Sequence, residues 1–198
     1  MTNSQKFGII CVLSIAGWAL WAAGRYWVAD TLYANGQKNY QFFVKTQDPQ
    51  YLVTSFNAFQ SASKMNPHEP AILSETAVSA AYVATALAQI NATAAGQLAQ
   101  LSVSLSQLSI SLSPHHPNYY KSAARAYILL SDMPAAAQVL SDAEKISHTA
   151  PRLPYNLGII YKYLNATDSA RLQFQKSLQL KPDFIDAQAQ LDQATSSH

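Results

Sequence analysis

The chain has a single cysteine in 198 residues, Cys11, in an uncharged stretch near the amino terminus. Disulfides within the chain and cysteine-ligated metal are thereby excluded. Glycine is scarce, six in all, and none belongs to a phosphate-cradling loop, which removes the common nucleotide-binding signatures. Charge is scarce too: Asp, Glu, Lys and Arg make up 12% of the residues, sum to a formal +2 and are missing from Thr76 to Tyr120. No run of Lys and Arg can follow a phosphate backbone, so nucleic acid is not an expected partner. Apolar residues are abundant at 49%, enough for a continuous core and too many for a disordered chain.

The apolar residues recur with a long period. Sliding the segment that begins at Pro117 by 34 positions brings Ala124 onto Gly158, Tyr127 onto Tyr161, Ala136 onto Ala170, Leu140 onto Phe174 and Ala143 onto Ser177. Small and large residues at such offsets describe a helical pair that buries its apolar faces only by stacking on neighbours. Leu157, Gly158, Tyr161, Ala170, Phe174 and Pro182 stand at the offsets of the tetratricopeptide (TPR) consensus. Residues 151–184 therefore resemble one TPR unit and 117–150 a second, with Tyr120 and Pro154 in place of the usual Trp and the terminal Pro of the earlier copy displaced to Pro151. The resemblance implies an all-α solenoid of stacked hairpins.

Upstream, Ser55, Phe59, Ala62 and Pro67 fit the second helix of an earlier unit whose first helix would cover Trp27 to Thr46. Phe59 and Leu140 are 81 residues apart, 13 more than two periods, so one unit is enlarged, with helices expected near Glu69–Ile90 and Thr93–Ser113. In the second of these, Leu101, Val103 and Leu105 alternate as in a strand, but Leu98, Leu101, Leu105, Leu108 and Leu112 form a helical stripe that Pro114 ends. An amphipathic helix from Asp183 to about Thr195 would cap the stack.

The amino terminus reads differently. Phe7 to Gly24 is 18 residues without a formal charge, about 27 Å as a helix, close to the thickness of a bilayer core. Arg25 can snorkel, which extends the span to Ala29, and Trp18, Trp21, Tyr26 and Trp27 gather at one end as interfacial aromatics do. A cleaved signal peptide is the rival reading, with a basic start at Lys6 and small residues at Ala22 and Gly24. Apolar length and the Trp cluster favour a single-pass anchor over residues 1–29, followed by a helical repeat domain over 30–198. Lys6 before the span and Arg25, Lys38 and Lys45 after it give only a slight bias toward a cytoplasmic repeat domain.

The run from Arg25 to Gly36, RYWVADTLYANG, followed by TPR-like pairs and Pro67-His68-Glu69-Pro70, resembles the C-terminal region of bacterial O-antigen ligase or polymerase-like membrane proteins. That resemblance implies a bacterial inner-membrane location and, as one partner, a polytopic membrane glycosyltransferase. The many-span catalytic part is absent, so no glycosyl-transfer activity carries over.

Catalytic chemistry has no visible home. His115 and His116 sit between Pro114 and Pro117 without a carboxylate or thiol at ligand spacing, and Asp142 with Glu144 reads as a surface acidic pair. The chain is expected to be neither an enzyme nor a cofactor carrier. Binding of a protein or peptide segment is what stacked pairs do, because their first helices line a concave groove. TPR offsets place Asn118, Lys121, Arg125, Ile128 and Leu129 of one unit there, and Arg152, Tyr155, Asn156, Ile159, Lys162 and Tyr163 of the next. Lys121 and Arg125 are one turn apart and, with Arg152 and Asn156, partly resemble a clamp for a terminal carboxylate or other anion.

Overall fold

The computed structural model describes the backbone of residues 3–196 and the side chains of residues 5 and 7–194; the side chain of Lys6, read above as a basic start, falls outside them. The described residues form helices only: α1 (Asn3–Thr46), α2 (Pro49–Met65), α3 (Pro70–Leu87), α4 (Ala92–Leu112), α5 (Pro117–Leu129), α6 (Met133–Ile146), α7 (Arg152–Tyr163), α8 (Thr167–Leu180) and α9 (Ile185–Ser196). Consecutive helices pack side by side as four hairpins, α1/α2 to α7/α8, and α9 lies on the last of them.

Local chemistry sets the helix ends. Proline occupies the first turn of α2, α3, α5 and α6, where its missing N–H costs no hydrogen bond. Asp48, Asn91 and Asp132 accept from Gln50, Ala94 and Ala135 backbone N–H at 2.9, 3.0 and 3.1 Å, satisfying orphan donors at the starts of α2, α4 and α6. Three of the turns inside hairpins use one left-handed residue each: Gln47 (φ 57°), Ser131 (φ 61°) and Asn165 (φ 58°). Ser131 and Asn165 are one 34-residue period apart, so the repeat extends to backbone conformation.

Inside the first and last hairpins a glycine faces a phenylalanine. A Cβ on Gly158 would lie 2.6 Å from the Phe174 ring, and a Cβ on Gly36 would lie 2.6 Å from the Phe59 ring. Both phenylalanines are essentially fully buried. Gly158 and Phe174 are 16 positions apart, Gly36 and Phe59 are 23, so the first hairpin keeps the contact with seven extra residues, two helical turns. Serines bolt helices together across this seam: Ser55 Oγ donates to the Gly36 carbonyl at 2.9 Å, Ser102 to Ala77 at 2.8 Å and Ser177 to Pro151 at 2.8 Å.

The enlarged unit is α3/α4, within three residues of its expected limits. Its leucine stripe, however, is only in part a packed face, with Leu98 and Leu101 against Leu52, Phe56, Ala80 and Val83. Ala95, Ser102, Ser106 and Ser109 are its fully buried residues, Ser102 bonded to α3, while Leu108 and Leu112 remain 41% and 38% exposed. α3 explains this, because Ala77, Ala80, Ala81 and Ala84 give it a buried surface with almost no relief, and small serines let α4 approach closely. The α3 part of the charge-free stretch is accordingly the interior of the stack, while much of α4 remains at the surface.

Among the described residues two helices are long and apolar enough to cross a membrane. Of α3, 61% is buried in the stack, which makes it a core helix, whereas the most apolar stretch of α1 has a mean hydropathy of 1.9 and none of it is buried. α1 is one unbroken helix of 44 residues, about 66 Å long. Its first half stands clear of the stack, and packing begins where Ala29 meets Ala62 and Ile72. The expected boundary at residue 29 therefore falls inside a helix that the two segments share. At that junction Arg25 lies over the Trp21 ring at 4.9 Å and donates to the Met65 carbonyl through Nη2 at 2.6 Å and Nε at 3.2 Å.

Candidate functional site

The first helices of the hairpins carry the candidate residues. On α5 and α7, Lys121, Arg125, Ile128, Tyr155, Asn156 and Ile159 surround an open depression of about 490 Å³ whose floor includes Ala124, Leu140 and Ile160. A second depression of about 380 Å³ continues past Ile159 to Lys162, Tyr163 and Gln190 of α9. The two share Ile159 and form one trough with an apolar floor. Lys121, Arg125 and Lys162 are its charged lining residues, with no carboxylate among those named for either depression.

Eight of the eleven residues expected in the groove, all but Asn118, Leu129 and Arg152, line this trough: Lys121, Arg125, Ile128, Tyr155, Asn156, Ile159, Lys162 and Tyr163. Arg152 does not. It is exposed at the first turn of α7 and lines neither depression, so the structure does not bring together the full anion clamp. Leu129 also leaves the groove, since it packs toward Val78 and Ala81 and its carbonyl accepts from Thr85 Oγ1 at 2.9 Å. Nor is Glu144 an open acid: it is half-buried between α6 and α8, one oxygen 3.0 Å from Lys176 Nζ and the other without a partner.

Arg125 is held rather than free. Its guanidinium donates to the hydroxyls of Tyr40 on α1 and of Tyr82 on α3, at 2.8 Å for the latter, and lies 5.5 and 5.3 Å from the two ring centres. Burial pushes the Tyr40 phenol up to about 12, with its hydrogen bond to Tyr82 adding to the effect. Burial also raises Tyr82, but hydrogen bonds with Tyr40 and Arg125 outweigh it and make Tyr82 the more acidic of the two. For Arg125 the two tyrosines outweigh burial and hold the positive charge more firmly than in water. Glu75 nearby has its carboxyl raised by burial, against the opposing pull of Arg125. Three hairpins thus meet at one cation.

Tyr40 and Tyr82 escaped a sequence reading because they belong to the two hairpins whose spacing departs from the 34-residue period. The aromatic spacing Tyr33, Tyr40, Phe43 on α1 was the available signal, since these positions share one helix face. Elsewhere in the trough, Tyr155 packs against Phe174 and Phe184 at 6.1 and 5.0 Å between ring centres. Lys162 Nζ bonds Gln190 and Gln193 at 2.9 and 3.0 Å, tying the trough's far end to α9, while Tyr163 is 72% exposed. Lys121 is exposed and bonds Asn118 at 2.9 Å. Among the described residues no three His, Cys, Asp or Glu side chains are grouped as a metal would need, and His116 stacks on Tyr119 at 4.6 Å.

Helical pairs stacked side by side, with a trough lined by their first helices, define a solenoid of the TPR type. Neither a described protein family nor a curated protein sequence matches the chain. Solved structures do share its fold. MamA aligns with a TM-score of 0.61 at 16% identity over 85% of this chain and 81% of its own. PilF of Pseudomonas aeruginosa gives 0.62 at 13% identity over 88% and 70%. YrrB, described as a TPR protein with an unusual peptide-binding site, gives 0.57 at 13% identity over 81% and 73%. The fold is therefore that of TPR repeats.

Proposed function

We propose that the chain is a membrane-anchored TPR scaffold of a bacterial inner membrane, whose α5/α7 trough holds an acidic segment of a partner protein. The trough carries this reading: an open depression with an apolar floor, cations on its rim and no carboxylate among its named lining residues suits an extended peptide with acidic side chains. YrrB, with its peptide-binding site, supports a peptide as the ligand class. The anchor rests on the first half of α1, apolar and unburied, with Trp18, Trp21 and Trp27 exposed at 66%, 59% and 71% near its end. Lys121 is the cation we expect to contact the ligand, because Arg125 is already committed to Tyr40 and Tyr82.

A photoreactive residue at Ile159 of the full chain, in mild detergent, tests the trough. A crosslinked partner that is lost on Lys121→Glu, with helicity unchanged, supports the reading; crosslinking indifferent to that substitution refutes it. The run Arg25–Gly36 favours a narrower second reading, in which the partner is a polytopic glycan-transferring enzyme that this chain assists without catalytic residues of its own. The same crosslink identifies such an enzyme or removes it.

A further inference from the structure

The unbroken α1 has a geometric consequence. Helices of the stack alternate in direction, so the starts of α3, α5, α7 and α9 lie on the edge of the stack from which the apolar half of α1 departs. The turns on that edge are α2 to α3, α4 to α5, α6 to α7 and α8 to α9. His68, His115, His116 and His148, four of the chain's five histidines, all occur in them and all are exposed. Lys64, Lys145, Arg152 and Lys181 are exposed on the same edge, Lys145 paired with Asp142 at 2.7 Å, and they are accompanied by the carboxylates Glu69, Asp183 and Asp186. Among the described residues the opposite edge has no histidine; Asp48, Asp132 and Asp168 stand at its turns, accompanied by Lys45, by Lys162 in the last turn of α7 and by Arg171, which pairs with Asp168 at 2.8 Å. A second observation fixes the level: Arg25, among the interfacial aromatics, bonds the Met65 carbonyl in the first of these turns.

We propose that this edge is a docking surface for an anionic bilayer, so that the stack lies down on the headgroups through its inter-hairpin turns. The inference rests on the membrane reading of α1. The chemistry is complementary: lysine and arginine attract lipid phosphates, and an imidazole donates a hydrogen bond to phosphate whether or not it is charged. Each basic residue brought to such a surface strengthens the attraction about fivefold. Because α1 passes from apolar segment to stack without a break, an upright α1 already turns this edge toward the lipid, and docking needs no rearrangement of the fold.

The test uses the full chain in nanodiscs, with fluorophores on single cysteines and nitroxide-bearing lipids as quenchers. Native Cys11 reports on the anchor; a Cys11→Ser background carrying Ser147→Cys reports on the proposed edge, and one carrying Asn165→Cys on the opposite edge. The expected result is quenching at residue 11 by acyl-chain nitroxides, and quenching at 147 by headgroup nitroxides that exceeds that at 165. The excess at 147 grows when phosphatidylglycerol is added to phosphatidylcholine and falls with Lys64→Gln plus Arg152→Gln. Quenching at 11 with no difference between 147 and 165, or with no response to lipid charge, overturns the docking edge while leaving the anchor standing. Absence of quenching at 11 overturns the anchor and the docking edge together.

Discussion

Placing a methyl group at Gly158 sets two effects against each other. Alanine in a helix interior is favoured over glycine by about 1 kcal/mol. Here, however, the new carbon would stand 2.6 Å from Phe174 Cε1 and 2.8 Å from Cδ1, about 1 Å inside an ordinary carbon–carbon contact. Phe174 has no exposed surface and packs on Tyr155, so the ring has nowhere to swing. Overpacking of this kind costs about 1–3 kcal/mol, so Gly158→Ala should lose up to about 2 kcal/mol net. Gly158→Leu has helix propensity close to that of alanine and far more bulk, so it should lose more. Gly36→Ala meets Phe59 at the same distance and should behave alike. Gly96, with no atom near its missing Cβ, is the internal control: Gly96→Ala should stabilise by about 0.5–1 kcal/mol. Each kcal/mol moves the melting temperature by about 2–4 °C in a chain of this size, readable by circular dichroism in detergent. Hydrogen exchange should confine the Gly158 effect to α7 and α8, since stacked repeats respond locally. Combining Gly158→Ala with Phe174→Leu should cost less than the two changes summed. A Gly158→Ala protein that melts above the parent temperature would refute the close packing derived for the Gly158–Phe174 and Gly36–Phe59 seams.

Other expectations are shorter to state. Ala166 has φ −90° and ψ 68°, nearly the values of its repeat counterpart Asp132 (φ −91°, ψ 73°), but cannot cap α8 as Asp132 caps α6; Ala166→Asp should therefore raise stability by about 0.5–2 kcal/mol in a urea titration, and no gain would show that the repeat register does not extend to its caps. Glu75 has a raised carboxyl pKa in the fold, so its contribution is fully present below the unfolded glutamate pKa and fades as pH rises through the folded one. Glu75→Gln should stabilise the chain at neutral pH and leave it unchanged near pH 3, and parallel stability–pH curves for the two proteins would contradict that burial.

The helical architecture was legible because the last two hairpins keep strict spacing. Gly158 facing Phe174, Ala136 and Ala170 at the crossings, and Pro182 beyond the final turn are all readable from a period of 34. The trough was equally readable, since residues on one face of α5 and α7 stay together whatever the loops do. Three things were hidden for physical reasons. Two extra helical turns in the first hairpin moved the partner of Phe59 to Gly36, which a fixed period misses. In α4 the hydrophobic pattern pointed at leucines, but close approach to an alanine-surfaced α3 rewards small side chains, so serines took the interior. The partners of Arg125 were out of sight because Tyr40 and Tyr82 come from helices 85 and 43 positions earlier.

A shaft without a joint passes on whatever direction its base is given. α1 holds no proline along its 44 residues, and its three glycines before the stack interrupt nothing. Leaning of its first half is thus inherited by all four hairpins as a single rotation, amplified with distance along the array. Inserting Gly-Pro near residue 26 would uncouple the two motions, turning a stiff lever into a loose tether while leaving each hairpin's own seam intact.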